Sequence, residues 1–108
     1  MTRSYTSIWE FEVHPEHVVA FRWHYGERGA WTQLFRRARG YVGTQLLEDQ
    51  SDPLRFVTID TWNSAEEYEA FRAAYVSEYA ALDRVCEGFT VRETLIGHFT
   101  SARDANPP

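Results

Sequence analysis

Along this chain the apolar residues recur at every second position, then at every third or fourth, and the cycle repeats. Period two belongs to half-buried strands and period 3.6 to helices, so this order restricts the fold before composition is considered. Tyr5, Trp9, Phe11 and Val13 share one face of a first strand over 5–13, opposite Ile8, Glu10 and Glu12. His14-Pro15-Glu16 opens a helix, because proline suits the first helical turn, where a missing N–H costs nothing. Val18, Phe21 and Tyr25 form its buried stripe, with Trp23 off the stripe and Gly26 as the end. Trp31, Leu34 and Phe35 predict a second short helix over 30–38. Residues 41–48 and 55–62 read as strands of an antiparallel hairpin, joined by the turn signal Asp49-Gln50-Ser51-Asp52-Pro53. Ser64 with Glu67 makes a capping box for one long helix, with Tyr68, Phe71, Tyr75, Leu82 and Val85 toward the core and Gly88 as the stop. A last strand over 94–100 follows, and 101–108 is a polar tail.

The order is β-α-α-β-β-α-β. With the short helices merged, it is the split βαβ plan of a ferredoxin-like α+β fold, one domain over 1–100. Such a sheet has four antiparallel strands with helices on one face, and should alternate apolar-in, polar-out. This chain does not. Phe56, Thr58, Asp60 and Trp62 share one face of the third strand, while Val57 and Ile59 occupy the other. Strict alternation sends Tyr41 and Leu47 one way on the second strand, and Val42 and Leu46 the other. Both faces need cover and helices supply only one, so a second copy of the sheet is expected, giving a homodimer.

Composition removes several function classes. Sixteen acidic residues against 11 basic ones give a net charge of -5, and every basic residue is arginine. A nucleic-acid partner is not expected, because phosphate neutralisation dominates that affinity. The longest apolar run, Val18 to Phe21, is too short for a membrane span, and the first residues lack an apolar leader core. A cytoplasmic protein without a membrane partner is expected. The single cysteine, Cys86, excludes an internal disulfide and reads as a buried filler. His14, His17, His24 and His98 match no metal-ligand spacing, so no metal is expected. There is no nucleophile elbow, phosphate-cradling loop or dinucleotide fingerprint.

Three segments resemble the antibiotic biosynthesis monooxygenase domain family. Ile8-Trp9-Glu10-Phe11-Glu12-Val13 with His14-Pro15-Glu16 is similar to that family's opening, W-x-F-x-V-x-P-G. Gly40-Tyr41-Val42-Gly43 resembles its P-G-Y-L-G, and Ile59-Asp60-Thr61-Trp62-Asn63-Ser64 its W-x-S strand ending. The resemblance spans about residues 5–99. It implies a dimeric α+β barrel with a pocket between sheet and helices. It also implies oxidation of aromatic polyketide or quinol-type substrates by O₂ without metal, flavin or haem. In the anthrone-oxygenase branch an Asn, a Trp and a Tyr accompany the substrate. Trp62 and Tyr68 stand at the Trp and Tyr positions, Thr58 replaces the Asn, and Leu82 falls where that branch has an Arg. The haem-degrading branch needs an Asn, a Trp and a His, and Trp9, Phe71 and Ala81 occupy those positions.

The candidate catalytic residues are Trp62, Tyr68 and Asp60. Trp62 and Tyr68 would stack on a flat substrate and donate to a developing oxyanion, or simply pack a strand-to-helix junction. Asp60 shares a face with Phe56 and Trp62. A carboxylate desolvated there could serve as a general base, whereas a strand-end Asp could instead reach solvent. Trp9, Phe21, Tyr25, Trp31, Phe35, Phe71 and Tyr75, with Thr58, are the candidate lining of a small-molecule pocket, and the aromatic ones are equally core residues. Three functions stay open: a cofactor-independent monooxygenase of a small aromatic molecule, a non-redox cyclase or isomerase on the same scaffold, and a non-catalytic binding domain.

Overall fold

The structure is a computed structural model that describes residues 3–103; positions 104–108 of the expected polar tail lie outside the described residues. Strands β1 (Tyr5–Val13), β2 (Tyr41–Glu48), β3 (Arg55–Trp62) and β4 (Thr90–Thr100) form one antiparallel sheet in the order β2-β3-β1-β4. One face carries the helices α1 (Val18–Tyr25), α2 (Ala30–Phe35), α3 (Ala65–Ala74) and α4 (Val76–Cys86). This is the ferredoxin-like plan the sequence predicts. Among the described residues no helix is long and apolar enough to cross a membrane.

Five local expectations are corrected. Alternation on β2 fails because its pairing jumps from Tyr41↔Trp62 to Gly43↔Thr61. The extra residue, Val42, makes a bulge, and a bulge reverses the facing of everything beyond it. Tyr41, Thr44 and Leu46 therefore face the helices, and Val42 and Leu47 face away, so Leu46 and Leu47 exchange their expected sides. The expected long helix is two helices, broken at Tyr75, whose φ of -117° and ψ of 33° leave the helical region. The Tyr75 hydroxyl donates to the Arg37 carbonyl at 3.1 Å, tying the break to the end of α2. Beyond the break Val85, expected in the core, is exposed, and its neighbour Cys86 is buried instead. The second helix stops at Phe35, where the bonds Arg37 N–H to Leu34 and Ala38 N–H to Phe35 tighten the chain into turns. Strand β4 begins at Thr90, because Thr90 and Arg92 already pair with Val13 and Glu12.

The core between sheet and helices is aromatic. Phe21 of α1 stacks on Tyr25 at 4.3 Å and meets Phe11 and Phe56 at 5.1 and 5.0 Å. A second cluster centres on Trp62, with Phe35, Tyr41, Tyr68 and Phe71 at 5.1 to 5.8 Å. Such tilted and edge contacts add about 0.5–1.5 kcal/mol each beyond simple burial. The α3 cap forms as expected, with the Glu67 N–H donating to Ser64 Oγ at 3.1 Å. The Glu67 side chain does not complete the box. It packs instead against Gly40, which has a φ of 92° and no room for a Cβ.

Candidate active site

Between the two aromatic clusters the helices stand off the sheet and leave an open-mouthed cavity of about 420 Å³, part of it continuous with solvent. Its floor is the inner face of the sheet: Trp9 and Phe11 from β1, Thr44 from β2, Thr58 and Asp60 from β3. Tyr25, Trp31, Phe35 and Tyr79 wall it from the helices, and Asp83 of α4 and Glu93 of β4 complete the lining. Trp31 joins the walls, with its ring 4.9 Å from Tyr79, 5.9 Å from Phe35 and 6.1 Å from Tyr25.

Strand register places the polar floor. Pairing of Thr44 with Asp60 across β2 and β3 follows directly from the bulge at Val42. Without that extra residue, Thr44 would face away from the helices. Thr44 Oγ1 donates to Asp60 Oδ1 at 2.6 Å, and the Tyr41 hydroxyl lies 2.6 Å from Thr44 Oγ1. Threonine has one hydroxyl proton. With that proton given to Asp60, Tyr41 must donate to Thr44, so a directed chain runs from Tyr41 through Thr44 to the carboxylate.

Burial among aromatic walls pushes the Asp60 pKa up to about 6, against the lowering effect of the Thr44 hydrogen bond. Desolvation wins because no cation pairs with Asp60: among the described residues no arginine forms a salt bridge to Asp60, Asp83 or Glu93. A carboxylate with a pKa near 6 is ionised at neutral pH yet basic enough to take a proton. Burial pushes Tyr79 up to about 12 and raises Tyr25 further, so both phenols keep their protons. Burial also raises the Cys86 thiol, which leaves it a poor nucleophile.

The expected site residues divide. Asp60, Thr58, Trp9, Tyr25, Trp31 and Phe35 line the cavity, whereas Trp62, Tyr68, Phe21, Phe71 and Tyr75 do not. Trp62 is fully enclosed by its aromatic neighbours. Tyr68 stands on the far side of Trp62, between Tyr5 and His98, and accepts a hydrogen bond from Arg72 at 3.2 Å. None of the four histidines lines the cavity, and His98 Nδ1 is engaged with Ser7 Oγ at 2.7 Å. Among the described residues, no group of three His, Cys, Asp or Glu side chains is placed to hold a metal ion. Sequence reasoning missed Phe11, Thr44, Tyr79, Asp83 and Glu93 as lining. For Phe11 the signal was present, since it shares a strand face with Trp9.

Comparison with known proteins agrees with this architecture. SnoaB from Streptomyces nogalater, described as a cofactor-independent oxygenase, superposes with a TM-score of 0.65 at 20% identity, covering 99% of this chain and 100% of that one. A Pseudomonas aeruginosa protein, PA3566, superposes with a TM-score of 0.69 at 19% identity over 97% of this chain and 98% of its own. A Methanosarcina mazei protein gives 0.69 at 9% identity over 91% and 92%. At these identities the likeness carries the fold alone. No curated protein sequence matches the chain. The family model for antibiotic biosynthesis monooxygenases matches residues 4–81, most of the sheet and the helices α1 to α3, and the chain belongs to that family.

Proposed function

We propose that this protein is a cofactor-independent monooxygenase of a small aromatic, polyketide- or quinol-like molecule, with Asp60 as its general base. The observation that carries this reading is Asp60 itself, a desolvated carboxylate on the wall of an aromatic cavity in a member of this family. The flat walls suit a flat ring. Asp60 removes a proton from an activated C–H or phenol, and the Tyr41–Thr44 chain fixes the carboxylate in place. The substrate anion then supplies both electrons to O₂, and the new C–O bond leaves a peroxide that the protonated Asp60 can protonate. Loss of water leaves a carbonyl, with one oxygen atom in the product and one in water. Trp62 and Tyr68 act behind this site as packing that holds β3 and α3 together.

The experiment is oxygen uptake with an anthrone or hydroquinone substrate, in the presence of a metal chelator. The expected result is one O₂ consumed per product. Replacement of Asp60 by Asn is expected to lower the rate by about 10²–10⁴, the usual contribution of a positioned base. Product formed without oxygen uptake would identify the cyclase or isomerase reading, and binding without turnover the non-catalytic one.

The same proposal pairs two copies of the chain through the open face of the sheet. Val42, Leu47 and Phe99 are 58%, 46% and 47% exposed. They lie on the side away from the helices, with Ile8, Val57 and Ile59. Face-to-face packing would place a second sheet about 10 Å away and dry this surface.

A further inference from the structure

The pairing of the four strands sets one polar row across the helix-facing side of the sheet. Thr44 of β2 pairs with Asp60 of β3, Asp60 with Ser7 of β1, and Ser7 with His98 of β4. Directly paired residues point to the same face, with their Cβ atoms about 4.5–5.5 Å apart. Asp60 therefore has a hydroxyl group on each neighbouring strand.

Only one of those hydroxyls is bonded to it. Thr44 Oγ1 donates to Asp60 Oδ1 at 2.6 Å. Ser7 Oγ is turned the other way, to His98 Nδ1 at 2.7 Å. Ser7 is 3% exposed, which denies it a solvent partner. Whichever of the two supplies the proton, the bond keeps the Ser7 oxygen on the β4 side. His98 is itself held at the exposed sheet edge, stacked on Tyr5 at 5.4 Å and meeting Tyr68 at 5.7 Å. Those two phenols are the titratable groups against its ring, with Glu69 near Tyr5 and Arg72 bonded to Tyr68. Asp60 shares its cavity with Tyr25, Tyr79, Asp83 and Glu93, yet burial and the Thr44 bond alone set its pKa.

We propose that His98 is a positioning residue for Asp60: by holding the Ser7 hydroxyl, it withholds a second hydrogen bond from the carboxylate and keeps that carboxylate a competent base. The inference rests on the reading of Asp60 as the base, and adds to it two residues that do not line the cavity. A hydroxyl that donates to a carboxylate favours the ionised form and so weakens it as a base. Bonds to an ionised acceptor are also stronger than neutral ones. A Ser7 hydroxyl released from His98 would therefore turn to Asp60, its partner across β1 and β3. One bond, from Thr44, fixes the carboxylate in place, and the withheld one leaves it basic.

Carbon-13 NMR of protein labelled at its aspartate carboxyl groups reads the Asp60 titration directly, with the signal identified by its loss in Asp60→Asn. His98→Phe keeps a ring against Tyr5 and Tyr68 but removes the hydrogen-bonding nitrogen. It should lower the Asp60 midpoint by about half a unit to one unit, the size of one added hydrogen bond. His98→Leu, which also lacks a hydrogen-bonding atom, repeats the test without a ring. Ser7→Ala alone should leave the midpoint near the wild-type value, and Ser7→Ala added to His98→Phe should restore it. His98→Asn, which keeps a hydrogen-bonding atom near the Nδ1 position, should also stay near wild type. An unchanged or raised midpoint in the Phe and Leu variants overturns the inference. So does a fall that persists when Ser7→Ala is added, or that appears equally in His98→Asn. A rise in Ser7→Ala alone would place the hydroxyl on Asp60 already, and overturns it too. The titration needs no turnover, so a failure here leaves the oxygenase reading intact, and absent oxygen uptake would end that reading without touching this result.

Discussion

In the proposed reaction Asp60 is the base, and the burial that suits it to that role also lowers stability. Its pKa rises from 3.8 in the unfolded chain to about 6 in the folded protein. The folded state thus holds the proton more tightly, and stability must fall as pH rises between those values. The penalty is absent below about pH 4, complete above about pH 7, and about 3 kcal/mol in size. Asp60→Asn should therefore melt higher than the wild type at pH 8 and no higher at pH 4, as thermal unfolding would show. Thr44→Val removes the one hydrogen bond that favours the ionised carboxylate. It should move the acidic limb of the pH–rate profile upward, whereas a merely structural Thr44 would lower the rate at every pH alike.

At the scale of elements, the joint between α2, β2 and α3 is the tightest point. Gly40 has a positive φ, its carbonyl accepts from the Asn63 N–H at 2.7 Å, and a Cβ there would fall 1.5 Å from Glu67 Oε2. Gly40→Ala should cost about 1–3 kcal/mol, measurable by urea unfolding. Adding Glu67→Ala should recover the part due to the clash and leave the part due to φ. The limits of strands β1 to β3 were legible because Pro, Gly, Asp and Ser punctuate them. The sides of Leu46 and Leu47 were not, since the bulge at Val42 has no signature in alternation. The break at Tyr75 was also hidden, because no glycine or proline marks it; a hydroxyl reaching Arg37 does. Asp83 and Glu93 escaped notice for a similar reason: one lies in the last turn of α4 and the other near the start of β4, and only the packing of the two elements brings them to one cavity. Asp60 was legible, because its strand face already placed it among aromatic residues.

The whole molecule is a sheet with helices on one side. Its radius of gyration, 15.0 Å, exceeds the roughly 13 Å expected of a compact chain this long. A flat two-layer shape with an apolar outer face accounts for the excess, and a second copy would restore a compact particle. Sedimentation at micromolar concentration should give a dimer, and Leu47→Glu, a charge set in that face, should shift it to monomer without unfolding it. A wild-type monomer at that concentration would remove the dimer from the account. The proposed turnover joins cavity, carboxylate and oxygen, and oxygen uptake followed across pH 4 to 9 tests it most directly. The account predicts a wild-type rate that climbs through a single ionisation near pH 6 and a plateau above it. In Asp60→Asn both the rate and that limb should be lost. An Asp60→Asn protein that consumes oxygen at the wild-type rate, with the same dependence on pH, would contradict it.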